Sequence, residues 1–295
     1  MQLDKIITLA NKKVYLRFMA LERSLRATGC SLPLLVIPYD GETFPLPENA
    51  SWWSLPEIQD WLGAEKTHPM YRKYQCLTTD RYQFVDSDVI FLRNPEEALA
   101  RESGFIASCG HWRDAGHTVT AESGAIFRGQ SSLWQRSIFN TGQFACDRIL
   151  YSVEDLKKQC LDPRYVETCL RFRFHEQPGI NLLVHLAGVP IHNLTLPPLA
   201  MESTWAGDYT GADYAATWTP EEKKPYLIHW AGCHEDSIRP INQLYLDYLT
   251  QAEREQFDRE TAELKQRRMR EQRSLRSRAR RWRRSLRGFA DEWRK

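Results

Sequence analysis

Tyr82-Gln83-Phe84-Val85-Asp86-Ser87-Asp88-Val89-Ile90-Phe91-Leu92 is the stretch on which the reading of this 295-residue chain turns. Its first four residues make an apolar, β-prone run suited to a buried strand, and two carboxylates spaced two residues apart stand at the carboxyl edge of that run. Acids placed this close beside a core repel each other unless a cation sits with them, and all-oxygen donors suit Mg²⁺ or Mn²⁺. A metal held there would in turn hold a diphosphate. The same pair also fits loop acids that bond a turn or cap the next helix, so the flanking sequence has to decide between the two.

Upstream, Lys5-Ile6-Ile7-Thr8-Leu9-Ala10 is a second strand. Val14, Phe18, Leu21 and Leu25 recur at helical spacing before Gly29, where a C-cap glycine belongs. Leu34 to Ile37 is a third strand, closed by Pro38 and the turn pair Asp40-Gly41. Strand, helix and strand within forty residues form a βαβ unit, which predicts a parallel sheet with a right-handed crossover. A helical segment over Met70–Thr79 then places Arg72 and Lys73 just ahead of the two acids. The organisation is an α/β nucleotide-binding type, in which ligands sit outside the carboxyl ends of the strands.

Downstream, three segments carry polar residues at the edges of apolar runs. Phe139-Asn140-Thr141-Gly142-Gln143-Phe144-Ala145 sets an amide and a close-approach glycine beside a short strand. His175-Glu176-Gln177-Pro178-Gly179-Ile180-Asn181 puts an acid and two amides around a helix-initiating proline. Tyr226-Leu227-Ile228-His229-Trp230-Ala231-Gly232 ends an apolar strand on a histidine able to ligate a metal through its neutral imidazole. His111 stands in a polar loop, where histidines are more often solvent-exposed than in contact with a ligand, and Trp205, Tyr209, Tyr214 and Trp218 in a Gly-containing stretch fit packing under a loop at least as well as stacking on a ligand.

Composition bounds the rest. At 42% hydrophobic and 26% charged, with 15 Gly and 15 Pro, the chain is neither disordered nor fibrous. No apolar run approaches the roughly 18 residues of a membrane span, and the acid at Asp4 with a four-residue apolar run behind it does not match a secretory leader, so a cytoplasmic location is expected. Seven cysteines with no Cys-x-x-Cys pair read as reduced thiols. The net charge of +2 hides a division: 251–295 holds 16 Lys and Arg against 8 Asp and Glu, whereas 1–250 holds 24 against 30. Residues 1–250 are therefore read as one domain and 251–295 as a basic helical tail. Leu275, Ala279, Trp282, Leu286, Phe289 and Trp293 form an apolar stripe on that basic helix, so 264–293 is expected to reach an anionic membrane surface peripherally. Nucleic acid fits less well, because no base-stacking platform accompanies the arginines.

The ordered set of motifs resembles the GT-A glycosyltransferases, and especially glycosyltransferase family eight, over roughly residues 3 to 240. The resemblance implies a Rossmann-like GT-A fold with a mainly parallel central sheet, and a hexosyltransferase that moves a sugar from a nucleoside-diphosphate sugar, UDP-sugar favoured, to a carbohydrate, lipid-linked or protein acceptor. It implies Mn²⁺ or Mg²⁺ on Asp86, Asp88 and His229, with Ala10 and Asn11 at the nucleoside turn and Arg72, Lys73 and Arg239 near phosphate or sugar. Asn140 and Gly142 would line the donor sugar, and Glu176, Gln177 and Asp88 would serve catalysis. Two departures stand out: Glu176 replaces the usual Asp, and Arg239-Pro240-Ile241 stands at a longer spacing in place of Lys-Pro-Trp. Two other readings compete. A haloacid-dehalogenase-like phosphatase would use Asp86 and Asp88, with Gly207-Asp208 to Asp213 as a look-alike of its acid pair, and a non-catalytic binding protein would act through the basic tail.

Overall fold

A computed structural model describes residues 1–173, 175–233, 239–267 and 269–270. The expected βαβ unit opens the fold as β1 (Lys5–Ala10), α1 (Tyr15–Ala27) and β2 (Leu34–Pro38). Helix α1 buries Leu16, Phe18, Leu21 and Leu25, and Gly29 follows it at φ +82°, the left-handed turn that glycine makes without a Cβ clash. The chain continues through β3 (Ala50–Trp52), α2 (Pro56–Ala64), β4 (Tyr82–Asp86), β5 (Val89–Phe91), α3 (Pro95–Leu99), β6 (Phe105–Ala107) and α4 (Ala121–Gln130). It ends the body with β7 (Gln143–Cys146), α5 (Val153–Cys160), α6 (Val166–Leu170), α7 (Gln177–Leu186), β8 (Ile191–Asn193), β9 (Leu227–His229) and α8 (Asn242–Leu246).

The central sheet has seven strands in the order β3-β2-β1-β4-β7-β6-β8, and β7 alone runs against the others. Strand alternation divides the core between its two faces. Ile7 and Phe84 belong to the cluster that holds Ile180, Leu182 and Leu183 of α7, while Ile6 and Val85 belong to the cluster that holds Phe18 and Leu21 of α1. Each such fully buried side chain contributes about 1.5–3 kcal/mol. Because β2 and β4 flank β1 on opposite sides, the strand order reverses there, and a crevice opens at the carboxyl ends. The register Leu9↔Asp86 puts the first acid of the motif at the rim of that crevice, beside Ala10.

Two local features differ in detail from what the sequence pattern predicts. The helical segment ahead of β4 is a 3₁₀ helix, Pro69–Thr78, begun by Pro69 and by His68, whose Nδ1 accepts from Met70 N at 3.4 Å. Its three-residue turn aligns Met70 with Lys73 and aims both at the crevice. The strand ending in His229 lies outside the main sheet and pairs antiparallel with β5, Val89 opposite His229.

A second unit begins at Leu249. Residues 251–267 are helical, and Thr250 and Glu253 cap the start reciprocally: Glu253 Oε2 accepts from Thr250 N at 2.8 Å and Thr250 Oγ1 from Glu253 N at 3.3 Å. The stripe from Leu275 to Trp293 lies outside the described residues. No helix among the described residues is long and apolar enough to cross a membrane. All seven cysteines are free thiols.

Candidate active site

The two acids end β4 and its turn for a backbone reason. Asp86 closes the strand and donates its N–H to the Gly142 carbonyl at 2.7 Å, and the Ser87-Asp88 turn leads directly into β5. The Asp88 carbonyl accepts from Trp230 N at 3.0 Å, so the β5–β9 pairing carries His229 to the acids. His229 Nε2 stands 3.2 Å from Asp88 Oδ1 and 3.8 Å from Asp86 Oδ2, and one donor atom from each of the three residues lies within 4.8 Å of the others. Two carboxylates and an imidazole are a donor set that fits a divalent cation, with Mn²⁺ or Mg²⁺ chemistry in range.

Gly142 makes the grouping sterically possible. A Cβ at this position would lie 2.0 Å from His229 Cε1, so only glycine lets the imidazole rest against the backbone. Asn140 Oδ1 accepts from Gly142 N at 2.8 Å and fixes the turn. Helix α7 braces the same loop: Asn181 bonds both backbone groups of Phe139, and Gln177 Oε1 accepts from Thr141 N at 3.2 Å.

Lys73 ties the metal site to the α7 side. Its side chain is 1% exposed, and Nζ lies 2.9 Å from Asp86 Oδ1 and 2.8 Å from Glu176 Oε1. Glu176 Oε1 also accepts from Thr141 Oγ1 at 3.0 Å. Thr141 stands inside the Phe139–Ala145 segment, but nothing local in that segment signals its bond to Glu176, 35 positions on.

The electrostatics follow from burial against charge. Burial pushes the Lys73 ammonium down, but the Asp86 and Glu176 carboxylates outweigh it and its pKa rises. For His229 burial likewise favours the neutral ring, and the Asp88 and Asp86 carboxylates overcome it, raising the imidazole above its ordinary 6.5. Burial pushes Asp88 up, but His229 and, further off, Arg17 hold it down at about 2. Asp86 goes the other way, because its desolvation exceeds the help from Lys73 and His229. Three carboxylates (Asp86, Asp88 and Glu176) thus face one ammonium and one imidazole, a deficit of positive charge that a divalent cation would offset.

A cavity of about 740 Å³ opens over this group and is lined by Lys73, Asp86, Asn140, Gly142, Glu176, Gln177 and His229 on one side. His111, Asp114, Thr118 and Trp205 line it as well. Ala10, Asn11, Arg72, Asp88 and Arg239 are not among its lining residues. Asn11 sits at the nearby end of β1, where Nδ2 donates to Asp40 Oδ2 at 2.6 Å, and Arg72 donates to the Pro38 carbonyl at the end of β2. Arg239 Nη1 lies 3.6 Å from Cys233 Sγ. Asp208, the look-alike acid of the phosphatase reading, is on the one-turn 3₁₀ helix Ala206–Asp208 and pairs with His111.

Neither the scan against protein families nor the search of curated proteins returned a match. Among solved structures the chain is similar to the apo form of WbbM, a bifunctional glycosyltransferase, with a TM-score of 0.52 and 13% identity over 88% of this chain and 52% of that one. It is also similar to the glycosyltransferase GlyE of Streptococcus pneumoniae TIGR4, with a TM-score of 0.46 and 14% identity over 88% of this chain and 64% of that one. The chain therefore spans about half the length of WbbM and under two thirds of GlyE. The fold is a glycosyltransferase fold, mixed α/β with a mainly parallel sheet.

Proposed function

We propose that this chain is a metal-dependent glycosyltransferase of the family-eight type, moving a hexose from a nucleoside-diphosphate sugar, UDP-sugar favoured, to a hydroxyl-bearing acceptor. The observation that carries this reading is the convergence of Asp86, Asp88 and His229 at the rim of the crevice beside the strand-order reversal.

Asp86, Asp88 and His229 would hold Mn²⁺ or Mg²⁺, which when bound supplies positive charge to the diphosphate leaving group. The protein's own residues do the positioning. Lys73 stays protonated between Asp86 and Glu176 and couples the geometry of the acid that faces the metal to the acid that faces the sugar. Glu176 and Gln177 sit on the cavity wall at the start of α7, the side on which a donor's anomeric carbon would lie if its diphosphate sat over Asp86. Gly142 makes room for the His229 imidazole, and Asn140 on the cavity wall would line the donor sugar. Preorganised charge of this kind lowers the barrier without reorganisation during the reaction. The phosphatase reading is weaker, since Asp208 is engaged with His111 and not poised beside Asp86.

Thermal unfolding of the full chain with UDP or GDP, each with and without Mn²⁺, tests the proposal. Stabilisation is expected only when nucleotide and metal are present together, and Asp88→Asn should abolish it while leaving the unliganded transition in place. Equal stabilisation with and without metal, or turnover of a simple phosphomonoester with no nucleotide response, overturns it.

A further inference from the structure

One wall of the cavity is built from residues that the donor reading leaves unused. Trp205 follows Thr204, whose carbonyl accepts the His229 N–H at 2.7 Å, so this tryptophan is tied through the backbone to the metal cluster. Its indole is pinned: Nε1 donates to the Ala231 carbonyl at 2.7 Å, Gly207 lies against the benzo ring, and the His111 ring meets it edge-on at 4.9 Å and 85°. It remains partly exposed and lines the cavity together with His111.

His111 is held in turn. Its Nε2 lies 2.9 and 3.0 Å from the two carboxylate oxygens of Asp208. A carboxylate oxygen accepts, so Nε2 carries the hydrogen of this contact, and the tautomer that does so leaves the Nδ1 lone pair as an acceptor. A fixed aromatic surface beside a fixed hydrogen-bond acceptor matches a pyranose, which has an apolar C–H face and a rim of hydroxyl donors.

We propose that Trp205, His111 and Asp208 form the acceptor subsite and take a neutral saccharide, with the sugar stacked on Trp205 and one of its hydroxyls donating to His111 Nδ1. Asp208 is a positioning residue that sets the tautomer. The inference rests on the transferase reading, and its test separates the two.

Isothermal titration of the full chain is carried out with lactose, maltose and cellobiose in the presence of UDP and Mn²⁺, and UDP with Mn²⁺ is titrated on its own. At least one disaccharide should bind saturably. His111→Gln, which keeps a partner for Asp208 but loses the acceptor at the Nδ1 position, should weaken that binding about tenfold, the scale of one lost hydrogen bond. His111→Asn, whose amide oxygen falls near the Nδ1 position, should recover part of the loss, and Trp205→Ala should remove binding. UDP–Mn²⁺ affinity should be unchanged in His111→Gln. Disaccharide binding that is absent, or that survives both His111→Gln and Trp205→Ala, overturns the subsite while UDP–Mn²⁺ binding stands. Failure of the unaltered chain to bind UDP with Mn²⁺ overturns the transferase reading instead.

Discussion

The cavity is walled by two kinds of chemistry. On one side Lys73, Glu176 and His229, each with a side chain no more than 6% exposed, form one set of ion pairs with Asp86 at 21%, and the set is held by backbone groups of β4 and the Phe139–Gly142 loop and by the Gln177 and Asn181 side chains of α7. Elsewhere along the lining His111 pairs at hydrogen-bond distance with Asp208, itself not a lining residue, and their side chains are 52% and 31% exposed. The same interaction does different work in the two places. Buried charge is costly to take out of water and stays only where partners satisfy it, so the Lys73 wall is a fixed electrostatic frame. An exposed pair adds little energy, so the Asp208 contact can orient His111 without contributing much to stability.

Removing one partner on each side is the strongest way to break this contrast. Lys73→Met strands Asp86 and Glu176 without their shared ammonium and is expected to cost about 3–5 kcal/mol in urea unfolding, as for a broken buried pair. Asp208→Asn, which removes the charge paired with His111, is expected to cost no more than about 1 kcal/mol. Similar losses for the two variants would show that burial does not divide the walls.

What the sequence made legible were residue types with a strong environmental requirement. Two acids at the end of an apolar strand and a histidine at the end of another have few reasons to be there, and the structure brings Asp86, Asp88 and His229 together. The βαβ opening was equally readable, because Leu21, Leu25 and the Leu34–Ile37 run follow plain periodicities. Lys73 was legible as a cation before the acids but not as a bridge, since its second partner, Glu176, lies 103 positions on and no local pattern links them. Backbone partners leave still less trace. The Arg72 bond to the Pro38 carbonyl, the Thr204 carbonyl on His229 and the β5–β9 pairing depend on where main-chain groups fall in space, which residue identity does not encode.

The comparison sharpens at two glycines, one on each wall. A Cβ at Gly142 would meet the His229 ring at 2.0 Å, whereas the nearest atoms to a Cβ at Gly110 belong to Ser203, the hydroxyl oxygen first at 3.0 Å. Gly142→Ala should therefore displace the imidazole and lower Mn²⁺ affinity about 10–100-fold, the range seen when the support of a metal ligand is lost. Gly110→Ala should leave Mn²⁺ affinity within about twofold, because the atoms it meets belong to Ser203, which bonds Trp205 N and not a member of the Asp86–Asp88–His229 group. Titration of each variant with Mn²⁺ followed by electron paramagnetic resonance gives the two values side by side, and equal weakening would mean that His229 is not the group that Gly142 accommodates.

The smallest expected effect concerns pH, and its metal-linked part comes from His229. His229 has a folded pKa raised above its ordinary 6.5, by the carboxylates of Asp88 and Asp86 acting against burial. In the metal-free protein the stability from that protonated ring is fully present below pH 6.5 and is lost as pH rises through the raised value. Asp86, also raised, acts in the same direction at lower pH, whereas Asp88, held at about 2, contributes stability above the ordinary 3.8 that is lost only toward strong acid. Metal reverses the sign for His229, because a cation needs the neutral imidazole and competes with the proton. Metal-free Tm is therefore expected to drift down from pH 6.5 to pH 8.5 as the gain in Tm on adding Mn²⁺ grows over the same window. His229→Gln should flatten the Mn²⁺-dependent part. A Mn²⁺ effect that shrinks with rising pH would separate His229 from the metal and leave the two aspartates to hold it with other groups.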